Sequence, residues 1–171
     1  MFYYRKLALR LALSLILALF PSITYFFVGP LTLWVSFITL KLFYSPVLTE
    51  NTIIIGSNTL RFIPACAAVS VYILLALLIL LTKGIPTSKM IKMFILGGFL
   101  IFIANIIRID LLIMILTEYG IDYFRTLHLF FWHIVSSVYV FLVWIFLIKK
   151  FEIKEIPVYS DFITLKRMLR R

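Results

Sequence analysis

Long apolar runs alternate with short charged or β-branched interruptions along the chain. Residues 11–28, 31–47, 64–81, 93–116 and 128–148 are almost wholly apolar. A run of about 18 such residues or more is what a helix needs to cross a bilayer. The runs at 64–81, 93–116 and 128–148 therefore predict three membrane spans. The run at 11–28 predicts a first one: it is too long for a cleavable signal sequence, and it leads into Pro21 and aromatic residues rather than a small-x-small cleavage site. The run at 31–47 differs, because Lys41 and Pro46 interrupt it.

Basic residues then orient the spans. Arg5, Lys6 and Arg10 precede the first run, Lys83, Lys89 and Lys92 follow the third, and Lys149, Lys150 and Lys154 follow the last. Cytoplasmic loops carry such an excess, so all three groups belong inside. With the N-terminus also inside, residues 31–47 cannot cross fully; they are expected to lie at the outer interface or to dip in and return. Between the second and third runs, Thr52–Ile55 and Thr59–Ile63 flank Gly56-Ser57-Asn58, which reads as an external β-hairpin. After the last run, residues 148–171 form a basic cytoplasmic tail. There Ser160 is an N-cap candidate, and Phe162, Leu165, Met168 and Leu169 interleave with Lys166, Arg167, Arg170 and Arg171 as an amphipathic helix on the inner leaflet. The expected fold is an all-α polytopic membrane protein. It would be one integral membrane domain over 1–171, a compact bundle of about four transmembrane helices with the outer segment and the hairpin.

Composition agrees with this pattern. The 171 residues are 64% hydrophobic, with a mean hydropathy of +1.13 that no soluble domain of this size requires. The net charge of +10 would suit nucleic acid, but its concentration at helix ends fits topology and anionic headgroups instead. A single cysteine excludes an internal disulfide.

Candidate chemistry is confined to a few polar residues within the runs. Cys66 opens the third run, Arg108 sits in the fourth and His133 in the fifth. A lone membrane cysteine packs as a small apolar residue unless something activates it. Ser70, one turn on, extends a small-residue face with Ala67. Arg108, about two turns inside its span, costs roughly 2.5–3.5 kcal/mol to insert, so it serves a purpose. That purpose is either a tie to Asp110 or to backbone carbonyls, or a role at a site. Asn105 shares its face at i−3, whereas Asp110 points elsewhere. His133 begins a polar stripe with Ser136 and Ser137, which either packs against a neighbouring helix or faces the site. His128 and Arg125 compete as base or cation. Together, a cation that lowers a thiol pKa and an imidazole that takes its proton make a cysteine nucleophile useful, and Arg108 can also stabilise an oxyanion. The sequence contains no H-E-x-x-H, no facing aspartyl pair and no G-x-S-x-G. A non-catalytic assembly factor or small transport subunit with an intramembrane polar path stays open beside the enzyme.

These features resemble the exosortase/archaeosortase family of membrane cysteine transpeptidases, over about Leu31 to Ile148. The resemblance rests on an outer hairpin leading to a Cys at the head of a span, the Asn-x-x-Arg of Asn105 to Arg108, and a His in the last span. The Ile156–Asp161 segment looks like that of archaeal members. The resemblance implies Cys66 as nucleophile, Arg108 as essential arginine and His133 as third member, with no metal or cofactor. It implies substrates that end in a recognition motif, a transmembrane helix and a basic cluster. Cleavage would occur near the outer face of the plasma membrane through a thioester, with a lipid, another amine or water as acceptor. Alanines at 67 and 68, and Ser137, stand where members often carry glycine.

Overall fold

The computed structural model describes residues 2–169, without the side chains of residues 2, 3, 133, 165 and 167–169. Seven α-helices appear in that range: α1 Phe2–Leu19, α2 Pro21–Leu40, α3 Val69–Leu80, α4 Thr87–Tyr119, α5 Ile121–Phe130, α6 Ser136–Lys150 and α7 Tyr159–Leu169. A π segment, Phe131–Val135, joins α5 to α6. Three short strands, β1 Val47–Thr49, β2 Thr52–Ile55 and β3 Asn58–Arg61, form an antiparallel sheet in the order β1-β2-β3.

The expected first span is divided. Phe20 leaves the helical region and Pro21 starts α2, where its missing N–H costs nothing and its fixed φ suits the first turn. Residues 31–40 are consequently the second half of α2, not a separate dipping segment. Pro30 stands inside that helix, and the ring of Tyr25 occupies the space a Cβ on Gly29 would need, its Cε2 at 2.6 Å. The remaining runs also shift. α3 spans only Val69–Leu80, because residues 64–68 are turns. α4 extends past both ends of its apolar run, and Gly120 at φ +84° ends it and opens α5. Among the described residues, two helices, α2 and α4, are by length and composition long and apolar enough to cross a membrane, which does not confirm the four expected spans.

The hairpin is present with a third strand added. Ile55 pairs with Asn58, so the turn is the two residues Gly56 and Ser57, with Gly56 at φ +57°. β1, concealed at the end of the interrupted 31–47 run, pairs Val47 with Ile54. Alternation along β2 buries Ile53 and Ile55. They pack with Leu33 and Leu40 of α2, Phe62, Ala67, and Ile109 and Ile113 of α4.

A second core joins α3, α4 and α6 through Leu75, Ile79, Met93, Ile101, Val143, Trp144 and Leu147. Gly97 permits this approach: a Cβ there would meet Leu75 and Leu147 methyls, each at 2.8 Å. The outer surface is apolar as well, with Phe26, Phe27, Ile95, Ile107 and Leu142 exposed. An apolar core under an apolar exterior is the arrangement of a protein dissolved in lipid.

The far end of α3 is fastened to the tail. Arg10 Nε donates to Leu80 O at 2.6 Å, and Arg10 Nη2 pairs with Asp161 at 2.8 Å. Lys83 Nζ donates to Thr164 Oγ1 at 2.6 Å. α7 thus docks on the bundle. Ser160 does not cap it in the expected way: its Oγ accepts the Ile156 N–H at 3.0 Å, one turn upstream. Removing Arg10 takes away both its part-buried ion pair and its bond to the Leu80 carbonyl. Arg10→Ala should therefore lower stability by roughly 1–2 kcal/mol, and adding Asp161→Ala should cost less than the sum of the two single changes. Denaturant unfolding in micelles of both variants and the double variant checks this; strict additivity would mean the pair contributes nothing.

Candidate active site

The site is built on the five residues between the sheet and α3. Pro64 to Ala68 turn tightly: Cys66 N–H donates to Ile63 O at 2.9 Å and Ala68 N–H to Ala65 O at 3.3 Å. Ala68 then sits at φ 51°, ψ 35°, a left-handed conformation, immediately before α3. A Cβ there costs roughly 1–2 kcal/mol, so the turn must be held from outside. It also explains why glycine suits this stretch in the sequences the chain resembles.

α4 supplies the hold. Asn105 and Arg108, one turn apart on one face, are 4% and 7% exposed. Asn105 Nδ2 donates to Cys66 O at 2.9 Å. Arg108 Nη2 donates to Ala65 O at 3.0 Å and to Cys66 O at 3.3 Å. Of the two bland roles open to Arg108, the structure realises the tie to carbonyls. Asp110 is engaged elsewhere, accepting from Thr39 Oγ1 of α2 at 3.0 Å. Arg108 Nε and Asn105 Oδ1 are buried with no hydrogen-bond partner among the described residues.

A pocket of about 110 Å³ lies beside this contact, with Ala68, Ala104, Asn105, Arg108, Ser136 and Tyr139 among its walls. Across the turn, a larger groove of about 410 Å³ runs from Pro64 and Ala65 down α3 past Ser70 to Leu77, walled by Pro21 and Trp132.

The other expected residues divide. Ser70 is exposed and faces the groove rather than the Asn105 side. Ser137 is exposed, and Ser136 is the stripe residue that lines the pocket, its hydroxyl donating to Phe131 O at 2.8 Å. Arg125 is exposed. His133 falls in the π segment, a helical irregularity frequent at functional sites, and its side chain lies outside the described residues. His128 is half-buried and stacks between Phe124 and Trp132, at centroid distances of 5.5 and 6.5 Å. Burial first, and then the Arg108 charge, hold its imidazole below the usual value. Tyr139, whose hydroxyl donates to Leu100 O at 2.9 Å, lines the pocket and was missed, although it follows Ser136 at i+3 on the same stripe. Among the described residues, no three His, Cys, Asp or Glu gather closely enough to hold a metal ion.

The fold and site define a helical membrane protein with one thiol on a strained turn gripped by a buried guanidinium. The family model for transmembrane exosortases (Exosortase_EpsH) matches residues 3–149, and the chain belongs to that family. The match begins well before Leu31 and so takes in α1 and α2. No curated protein and no solved structure matches the chain.

Cys66 precedes α3, and burial pushes its thiol up; the hydrogen bond at Ile63 and, after it, the Arg108 charge pull it down. Deleting that charge removes a lowering influence, so the Cys66 pKa rises. Arg108→Gln should therefore move the pH profile of Cys66 alkylation to higher pH, and Arg108→Lys should move it less. Rates with a membrane-permeant maleimide across pH check this; an unmoved profile in Arg108→Gln would show that the charge does not reach the thiol.

Proposed function

We propose that the protein is a membrane cysteine peptidase or transpeptidase acting on surface proteins that end in a sorting motif, a transmembrane helix and a basic cluster. The observation that carries this reading is the double grip of Asn105 and Arg108 on the carbonyls around the only cysteine. A buried arginine spent on two carbonyls of one turn is costly unless that turn has a task.

In this reading, Cys66 Sγ attacks the scissile carbonyl carbon while a histidine takes the thiol proton. Arg108 cannot be that base, since it does not deprotonate; it stabilises the oxyanion. Collapse breaks the C–N bond, and the histidine returns the proton to the leaving amine. The thioester then passes to an amine, on a lipid or another acceptor, or to water, and the thiol is regenerated. The resemblance gives His133 as the third member, and its imidazole suits the role of base. A second reading, His128, is favoured by the influence of Arg108 on its imidazole and by its stacking on Trp132, a wall of the groove beside Ala65.

The site belongs near the outer face of the plasma membrane. Arg10, Lys83 and Lys89 interact around the opposite end of α3 or the end of α6, which suits the cytoplasmic side.

Processing of a reporter with a C-terminal anchor and basic cluster tests the proposal. Cys66→Ser should abolish it at unchanged protein level, and His133→Ala should as well, while His128→Ala leaves it. Loss in His128→Ala with retention in His133→Ala transfers the base to His128. Unchanged processing in Cys66→Ser leaves the non-catalytic assembly or transport role instead.

A further inference from the structure

We infer that the pocket between α4 and the π segment is a subsite for the backbone N–H and C=O of one substrate residue, read jointly by Asn105 and Arg108. This deepens the proposed peptidase reading and rests on it.

The unpartnered atoms carry the inference. Asn105 Nδ2 is fixed as the amide nitrogen, because it faces the Cys66 carbonyl at 2.9 Å, and only a donor can. Its other atom, Oδ1, is then an acceptor with no donor. Arg108 Nε is a donor with no acceptor. Both residues are more than nine-tenths buried, and both line the same small pocket. Buried polar atoms normally have partners, so an unpaired donor and acceptor beside a cavity suit a ligand with complementary atoms.

The pair selects the chemistry of that ligand. A phosphate or carboxylate satisfies Arg108 but sets an oxygen against Asn105 Oδ1. An ammonium does the reverse, satisfying Asn105 and facing the guanidinium. A neutral group with a carbonyl and an N–H on one edge satisfies both, and one residue of an extended peptide is such a group, because its own N–H and C=O point to the same side. The remaining walls agree, since Ala104, Ile107, Phe131 and Val135 offer apolar surface around the polar floor. Ile107 is 58% exposed on the apolar exterior, so the pocket opens sideways toward lipid, the direction from which an anchored chain arrives. A volume of about 110 Å³ holds one small residue and its amide rather than a headgroup.

Two thiol reagents that differ only at the amide test this on the full chain in micelles. Iodoacetamide has the N–H; N,N-dimethyl-2-iodoacetamide lacks it. The ratio of their rates at Cys66, normalised to free cysteine, should favour iodoacetamide roughly fivefold, the advantage of one net hydrogen bond. Asn105→Leu should bring the ratio to about one, as should Ala104→Phe and Val135→Phe, which fill the pocket from opposite walls and leave the grip on Cys66 intact. Methyl methanethiosulfonate, which carries no amide, should react at a similar rate in both filling variants and the parent. A normalised ratio near one in the parent overturns the inference and means the pocket holds water only, whatever Cys66 does in processing. A clear ratio, with processing that persists in Cys66→Ser, keeps the amide subsite and removes the peptidase reading.

Discussion

The contact between the Arg108 guanidinium and the carbonyls of Ala65 and Cys66 is the constraint on which the rest depends. Arg108 is buried and pairs with no carboxylate among the described residues, the Arg10–Asp161 pair being the salt bridge found there. Its desolvation is offset only by carbonyl dipoles, and these must come from backbone not already used within a helix. The turn at residues 64–68 supplies them. Had α3 begun at Pro64, as its apolar run suggests, the Ala65 and Cys66 carbonyls would bond within the helix and Arg108 would lack partners. The short α3 and the buried arginine are therefore two sides of one solution.

Neighbouring elements brace that solution. The sheet delivers Phe62 to the core beside Ala67, fixing one end of the turn. Gly97 lets α3 and α4 approach closely enough for Asn105 to reach Cys66. Thr39 holds Asp110, the carboxylate nearest Arg108 in sequence, against α2. That bond keeps a negative charge from neutralising the guanidinium, whose field then acts on the thiol. At the other end of α3, Arg10 and Asp161 fix the tail and the helix together, so the bundle is closed at both extremities.

Much of this was legible from local patterns. The i, i+3 spacing of Asn105 and Arg108 placed both on one face, and they meet one target. The off-face position of Asp110 was also readable, because two residues of helix rotate a side chain away. What escaped was whatever depended on how elements pack. Pro21 and Pro30 carry the same sequence signal, yet one starts a helix and the other lies within one, and only the neighbours decide which. β1 was hidden because its first residue, Val47, closes an apolar run that already read as an interfacial or dipping segment. Ser136 and Ser137 were indistinguishable in sequence, and a π segment just before them set which one turned to the pocket.

The electrostatics of the grip explain why a permanent cation fits a thiol and an imidazole together. Arg108 acts in opposite senses on the two: it favours the charged thiolate and disfavours the charged imidazolium of His128. At Cys66, burial is the larger influence and pushes the thiol up against the pull of the cation. At His128, burial and the cation act in the same direction and hold the imidazole below its usual value. In the proposed reaction, negative charge developing on an attacked carbonyl is what a guanidinium held in this way would stabilise. The backbone bonds fix that orientation without neutralising the cation, since carbonyls offer dipoles rather than a counter-charge. A carboxylate partner would have cancelled the charge that the proposed reaction requires of Arg108.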